Sequence, residues 1–159
     1  MNAVVAITKN MGIGKNNELL IPIHKDLKHF KDLTTGKVVI YGKKTLETFP
    51  NKEPLKNRVN LILTHSTEPI DGARIENSIE EVLNDIKFLK KEDVFVIGGE
   101  SVYKAFLPYC DYLYITEIDK EIEADKFFPE FKDKFFEIER EENEEDGIKF
   151  DFVTYKRRA

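Results

Sequence analysis

Val94–Leu107 reads VFVIGGESVYKAFL. Four apolar residues, three of them β-branched, run into a glycine pair, and a helical stretch follows until Pro108 stops it. An unbroken apolar run of this length reads as a strand buried on both faces, which occurs where helices cover both sides of a parallel sheet. The segment is therefore a strand–turn–helix unit of an α/β fold. The same grammar recurs outward from it. Lys37–Tyr41, KVVIY, meets Gly42 and a short helix, KKTLETF, closed by Pro50. Ala3–Thr8 (AVVAIT) and Val59–Leu63 (VNLIL) are further buried strands, and Ala73–Ile75 is a short edge strand. Ser78 is placed to N-cap a helix, IEEVLNDIKFL, with Glu81 completing a capping box. Asp111–Ile118 alternates, with Tyr112, Tyr114 and Thr116 on one side and Leu113, Ile115 and Glu117 on the other.

The tail follows a different pattern. Phe135–Glu139 and Ile148–Tyr155 read as long antiparallel strands. The acidic run Glu141–Asp146, ended by Gly147, is expected to form a solvated hairpin tip. With no internal repeat and no linker, the expectation is a single domain over 1–159: an α/β fold with a mostly parallel central sheet, flanking helices and a C-terminal antiparallel hairpin.

One carboxylate stands out. In the helix that begins near Ile23, Ile23, Leu27, Phe30 and Thr34 share one face. Asp26 lies inside that stripe, and a charge there is costly unless it is paired or used. Gly12–Leu20, with two glycines and two asparagines, reads as a flexible loop feeding this helix. Loop and acid together suggest a lid over a catalytic carboxylate. The simpler alternative is an acid in the first helical turn that favours the helix dipole.

Bulk properties exclude several classes. The net charge of −5 argues against recruitment of nucleic acid or an anionic membrane by field alone. No apolar run reaches the roughly 20 residues needed to span a bilayer. The opening MNAVVAITKN lacks the basic and long apolar regions of a signal peptide. Cys110 is the only cysteine, so no internal disulfide forms, and a cytoplasmic protein is expected. His24 and His29 are five apart and share no i, i+4 face, so no metal site is expected.

Two strand ends suit an anionic ligand. Gly98-Gly99 lets a diphosphate approach backbone N–H groups, although a tight strand-to-helix turn explains it equally. Gly42-Lys43-Lys44-Thr45 sets two lysines and a hydroxyl where a helix begins, and cations there oppose the dipole unless an anion is present. Thr64, His65 and Ser66 could add donors. Together these predict a dinucleotide carrying an extra phosphate. Arg58 is a candidate bidentate clamp for a ligand carboxylate.

The order of these motifs resembles the dihydrofolate reductase family over nearly the whole chain. The resemblance is carried by AVVAIT, Gly12-Ile13-Gly14 with Asn17, Asp26-Leu27 with Phe30-Lys31 and Thr34, VVIYGKKTLETFP, Arg58 with the strand that follows it, VFVIGGESVY, Leu113–Asp119, Ala124-Asp125 and Phe128-Pro129. It implies hydride transfer from NADPH to 7,8-dihydrofolate, giving tetrahydrofolate. It implies Asp26 as the one ionisable group at the pterin, with the Thr116 hydroxyl bonded to it. Val4, Val5 and Ile97 would face the pterin, Leu27, Phe30, Phe49 and Leu55 would form apolar walls, and Arg58 would hold the glutamate tail. Gly98, Gly99 and Thr45 would take the diphosphate. Lys43, with Thr64 and His65, would lie around the 2′-phosphate, and Lys44 would be a further cofactor contact. Ala6, Ile13, Gly14, Asn17, Leu19, Gly42, Leu63, Glu100, Ser101, Val102 and Tyr103 would complete the cofactor site.

The resemblance also implies antifolate inhibitors as ligands, and monomer is the default oligomeric state. Some residues depart from the family pattern. Leu20-Ile21 stand where many members have Pro-Trp, and His24 where proline is common. Lys43 and Ser101 replace arginines, and Glu100 replaces a third glycine. A riboflavin-pathway reductase and a non-catalytic pterin- or nucleotide-binding protein are the alternatives. Neither accounts for Asp26, Thr116 and Arg58 together.

Overall fold

The computed structural model describes residues 1–159. In chain order its elements are β1 (Asn2–Ile7), β2 (Gly12–Gly14), α1 (His24–Thr34), β3 (Val38–Gly42), α2 (Lys43–Leu46), β4 (Val59–Leu63), β5 (Arg74–Glu76), α3 (Ile79–Ile86), β6 (Val94–Gly98), α4 (Glu100–Phe106), β7 (Tyr112–Ile118), β8 (Lys126–Phe127), β9 (Phe135–Glu145) and β10 (Ile148–Arg157). Eight strands form one sheet in the order β5-β4-β3-β6-β1-β7-β10-β9. The first six are parallel, and β10 and β9 add the antiparallel edge.

Alternate residues of the same strands feed two cores, which is why the strands read as unbroken apolar runs. Ala3, Val5, Val38, Ile40, Val94 and Val96 pack on one side with Val102 and Phe106 of α4. Val4, Val39, Tyr41, Ile62, Phe95 and Ile97 pack on the other, against Phe30 and Leu33 of α1. The strands ending in Ile7, Gly42, Leu63 and Gly98 therefore finish along one edge of the sheet, where α/β proteins bind ligands.

The structure departs from the sequence expectations in four places. The helix after Gly42 is one turn, Lys43–Leu46, followed by a tight turn at Pro50–Lys52. α3 stops at Ile86, short of Leu89. Its Ser78 Oγ accepts from Glu81 N at 3.1 Å, but the Glu81 carboxylate reaches Asn77 N (2.8 Å), one residue earlier than a standard box. Part of the Gly12–Leu20 loop is structured: β2 pairs with β8, Lys15 bridges to Glu18, and Asp125 accepts from Asn16 N at 3.0 Å.

The fourth departure concerns the acidic run. Only Asp146-Gly147 forms the tip, at φ 52° and 80°, as a two-residue type I′ hairpin turn requires. Glu141–Glu145 continue β9, paired with Phe152–Ile148 of β10. Their backbone joins the ladder because Phe150 and Phe152 on the partner strand pack inward, while most of the acidic side chains stay in solvent.

Candidate active site

Asp26 sits in the first turn of α1, and Thr116 comes to it from β7. The Thr116 hydroxyl donates to Asp26 Oδ1 at 2.5 Å, and Thr116 is 2% exposed. Burial raises the Asp26 pKa above its ordinary value; the Thr116 bond and the nearby His29 act in the opposite sense. Beside the carboxylate lies a pocket of about 30 Å³ lined by Ala6, Ile13, Leu20, Ile21 and Leu27, with Thr8 at its edge. That volume accommodates one water. Leu27, expected on the buried face, is 47% exposed: this end of the stripe borders the pocket instead of packed core. Leu19 is 62% exposed on the same rim.

The apolar walls converge further along α1. Phe30, Phe49 and Leu55 pack against the cluster containing Val4, Tyr41 and Ile97. Val5, the next residue on β1, packs in the opposite core. The Phe49 ring stands edge-on to Tyr41, with centroids 5.1 Å apart. Arg58 rests at the C-terminal end of α1. Its Nε donates to Thr34 Oγ1 (3.1 Å), its Nη1 to Lys56 O (2.9 Å), and its guanidinium lies 5.9 Å over Phe30. Burial lowers its pKa, and no carboxylate of the chain pairs with it, unlike Arg74 and Arg140.

Sequence reasoning passed over Asn60 in VNLIL. Its amide clasps the Leu55 backbone in both directions (3.0 and 2.9 Å) and accepts from Tyr41 at 2.7 Å. A lone amide inside a buried apolar strand was the available signal.

Two glycine turns meet on the other side of Val4. Gly98 and Gly99 are joined by a cis peptide, and Gly98 has φ 135°. A Cβ at Gly98 would lie 3.4 Å from Thr45 Oγ1, and one at Gly99 3.6 Å from it. Gly42 similarly abuts Val102, at 3.3 Å. The Tyr103 hydroxyl, buried among these elements, donates to Val4 O at 2.8 Å. Lys43, Lys44 and His65 are exposed and unpaired, and Ser101 is exposed. Asn77, also missed from sequence, holds the Thr64–Ser66 loop by donating to Thr64 O (2.8 Å) and Ser66 O (3.0 Å). The Glu100 carboxylate accepts from Phe127 N at 2.6 Å, so it is engaged with β8. Asn17 occupies the exposed tip of the β2 loop at φ 63°, beyond Gly14.

Comparison with known proteins agrees with this layout. The family model for dihydrofolate reductase matches residues 1–157. The chain belongs to the dihydrofolate reductase family. The Bacillus subtilis dihydrofolate reductase is 33% identical, covering 98% of this chain and 93% of its own length. The Sus scrofa enzyme is 36% identical, covering 99% and 97%. The structure of the Enterococcus faecalis dihydrofolate reductase, complexed with NADP(H) and RAB-propyl, superposes with a TM-score of 0.87 at 30% identity over 99% of this chain and 96% of that one.

Within this family, the chain accommodates its departures from the common pattern locally. Leu20 and Ile21 fill the wall of the Asp26 pocket, where the resemblance anticipates Pro-Trp. His24 is exposed, and its N–H is held by the Glu145 carboxylate at 2.7 Å.

Proposed function

We propose that this chain reduces 7,8-dihydrofolate to 5,6,7,8-tetrahydrofolate with NADPH, and that Asp26 supports protonation of pterin N5 through a water in the adjoining pocket. The observation that carries this reading is the part-buried Asp26–Thr116 pair beside a water-sized cavity. A carboxyl with a raised pKa retains its proton closer to neutrality and so can favour a protonated N5. Closing the site to bulk water strengthens its field. Phe30, Phe49, Leu55 and Ile97 would hold the pterin and its aryl neighbour, and Arg58 would clamp a carboxylate of the glutamate tail. The unpaired guanidinium supports that role.

The Gly98-Gly99 turn against Thr45 offers the close backbone approach that a diphosphate needs, and Lys43, Thr64 and His65 would meet the 2′-phosphate. NADPH, when bound, supplies the hydride. The other cofactor contacts expected from the resemblance would come from the β2 loop and from the strand ends and helix starts around Gly42 and Gly98. The net charge of −5 and the single cysteine support a cytoplasmic chain without a nucleic-acid partner, a single-domain monomer is the default, and antifolates would bind in the folate pocket; no helix is long and apolar enough to cross a membrane.

The test is absorbance-monitored NADPH oxidation on adding dihydrofolate, with NADH in parallel and pH varied. Turnover that falls as pH rises through a value well above 4 supports the reading. Binding of both ligands without turnover would replace it with a pterin-binding function.

A further inference from the structure

Asp26 and His29 lie one turn apart on α1, and the sheet answers them with a matched pair. Thr116 of β7 and Phe152 of β10 are direct cross-strand partners. Thr116 bonds Asp26, and the Phe152 ring stacks on the His29 imidazole with centroids 3.9 Å apart and planes 15° from parallel. Two helix positions thus seat on two neighbouring sheet positions, forming a closed square of side chains. The imidazole is half-buried by this packing. The charged groups that act on it are all carboxylates: Asp26 and Asp32 from α1, and Glu141 from β9. Burial lowers the His29 pKa against their pull, while burial raises that of Asp26 and His29 opposes the rise. Each group stabilises the charged form of the other.

We infer that His29 is a positioning residue for the reduction: it registers the helix that carries Asp26 and serves as the countercharge that decides how readily Asp26 takes up a proton. A proton entering the pair can reside on His29 and leave Asp26 ionised. With the imidazole removed, the same proton must go to Asp26. The inference rests on the folate-reductase reading of Asp26, but the coupling itself does not depend on turnover.

Two variants separate the charge from the stack. His29→Phe keeps a ring over Phe152 and loses the charge, whereas His29→Gln loses both. The pH limb governed by Asp26 in NADPH oxidation should move up by roughly half a unit or more in each. The melting temperature should fall in His29→Gln only. A His29→Phe profile that superimposes on wild type overturns the electrostatic role. Independently, the His29 Cε1–H resonance, assigned by its loss in His29→Phe, should titrate at lower pH in Asp26→Asn than in wild type. Identical curves overturn the coupling. If wild type fails to oxidise NADPH with dihydrofolate, the substrate reading fails, while the resonance experiment still decides the linkage.

Discussion

Thr116→Val isolates the bond on which the acid depends. Valine occupies nearly the same space and removes the one hydroxyl that donates to Asp26 Oδ1. A hydrogen bond to an ionised acceptor contributes about 1.5–3 kcal/mol. At about 1.4 kcal/mol per pH unit, the Asp26 pKa should rise by roughly 1–2 units. In steady-state NADPH oxidation with both ligands saturating, the limb on which activity falls with rising pH should shift upward by that amount. Stability should follow the same ionisation. Asp26 is already raised in the folded state above its ordinary value of 3.8, so the folded protein binds this proton more tightly than the unfolded chain. That advantage is fully present below 3.8 and is lost as pH rises through the folded value. Thr116→Val deepens the loss, so its urea midpoint should fall below wild type at pH 8 and approach it near pH 4. A limb that stays in place would mean that Asp26 does not govern the profile. A downward shift would mean that the hydroxyl stabilises the neutral acid.

Arg58→Leu should weaken dihydrofolate binding by roughly 10- to 100-fold while barely affecting a pterin without the glutamate tail, because only the tail carries the carboxylate for the fork; isothermal titration with both ligands checks this. Gly12→Ala should destabilise the protein and slow turnover, since a Cβ there would lie 2.7 Å from Ala124 Cβ and 2.9 Å from Thr8 Oγ1; a melting curve equal to wild type would refute the close fit. Glu76 is buried on β5 beside Asp85, with Arg74 Nε 3.0 Å from a carboxylate oxygen of each, and burial with the Asp85 contact pushes it up to about 7. Its contribution to stability is present below 4.5 and is lost as pH rises through about 7, so Glu76→Gln should raise the urea midpoint at pH 8 relative to wild type and change little near pH 4. Glu145→Gln should lower the melting temperature by a few degrees and raise the KM for dihydrofolate, because the carboxylate caps α1 at His24 N and Lys25 N.

Much of the fold was legible because the decisive signals were local. Buried strands ending in glycine mark a parallel sheet wherever they occur, and Val59–Leu63 matched to the residue. Asp26 was legible for a related reason: a carboxylate inside an apolar stripe is anomalous without any knowledge of its partner. Other features depended on residues distant in sequence. The acidic composition of Glu141–Glu145 pointed to solvent, and only pairing with β10 makes it strand. The β2–β8 ribbon rests on very short strands that carry no periodicity. His29 was weighed only for metal spacing against His24, and its ring partner lies on the last strand of the chain. Asn60 and Asn77 were readable in principle, as polar groups whose surroundings required partners.

These non-local contacts bear on how the site is built. α1 has eleven residues, no side-chain cap from its own N-cap residue, and a charged outer face, so alone it would be a marginal helix. Its position comes from strands elsewhere in the chain. Glu145 caps its N-terminus, Thr116 and Phe152 receive Asp26 and His29, and Arg58 from β4's approach holds Thr34 at its other end. Three of these four partners come from the last third of the sequence, on β7, β9 and β10. The position of Asp26 in the folded chain therefore depends on contacts from the C-terminal third, including the antiparallel edge of the sheet. The C-terminal hairpin thus bears on α1 as well as on the sheet: it supplies both the carboxylate that caps the helix and the ring that stacks on His29, one turn from the Asp26–Thr116 bond.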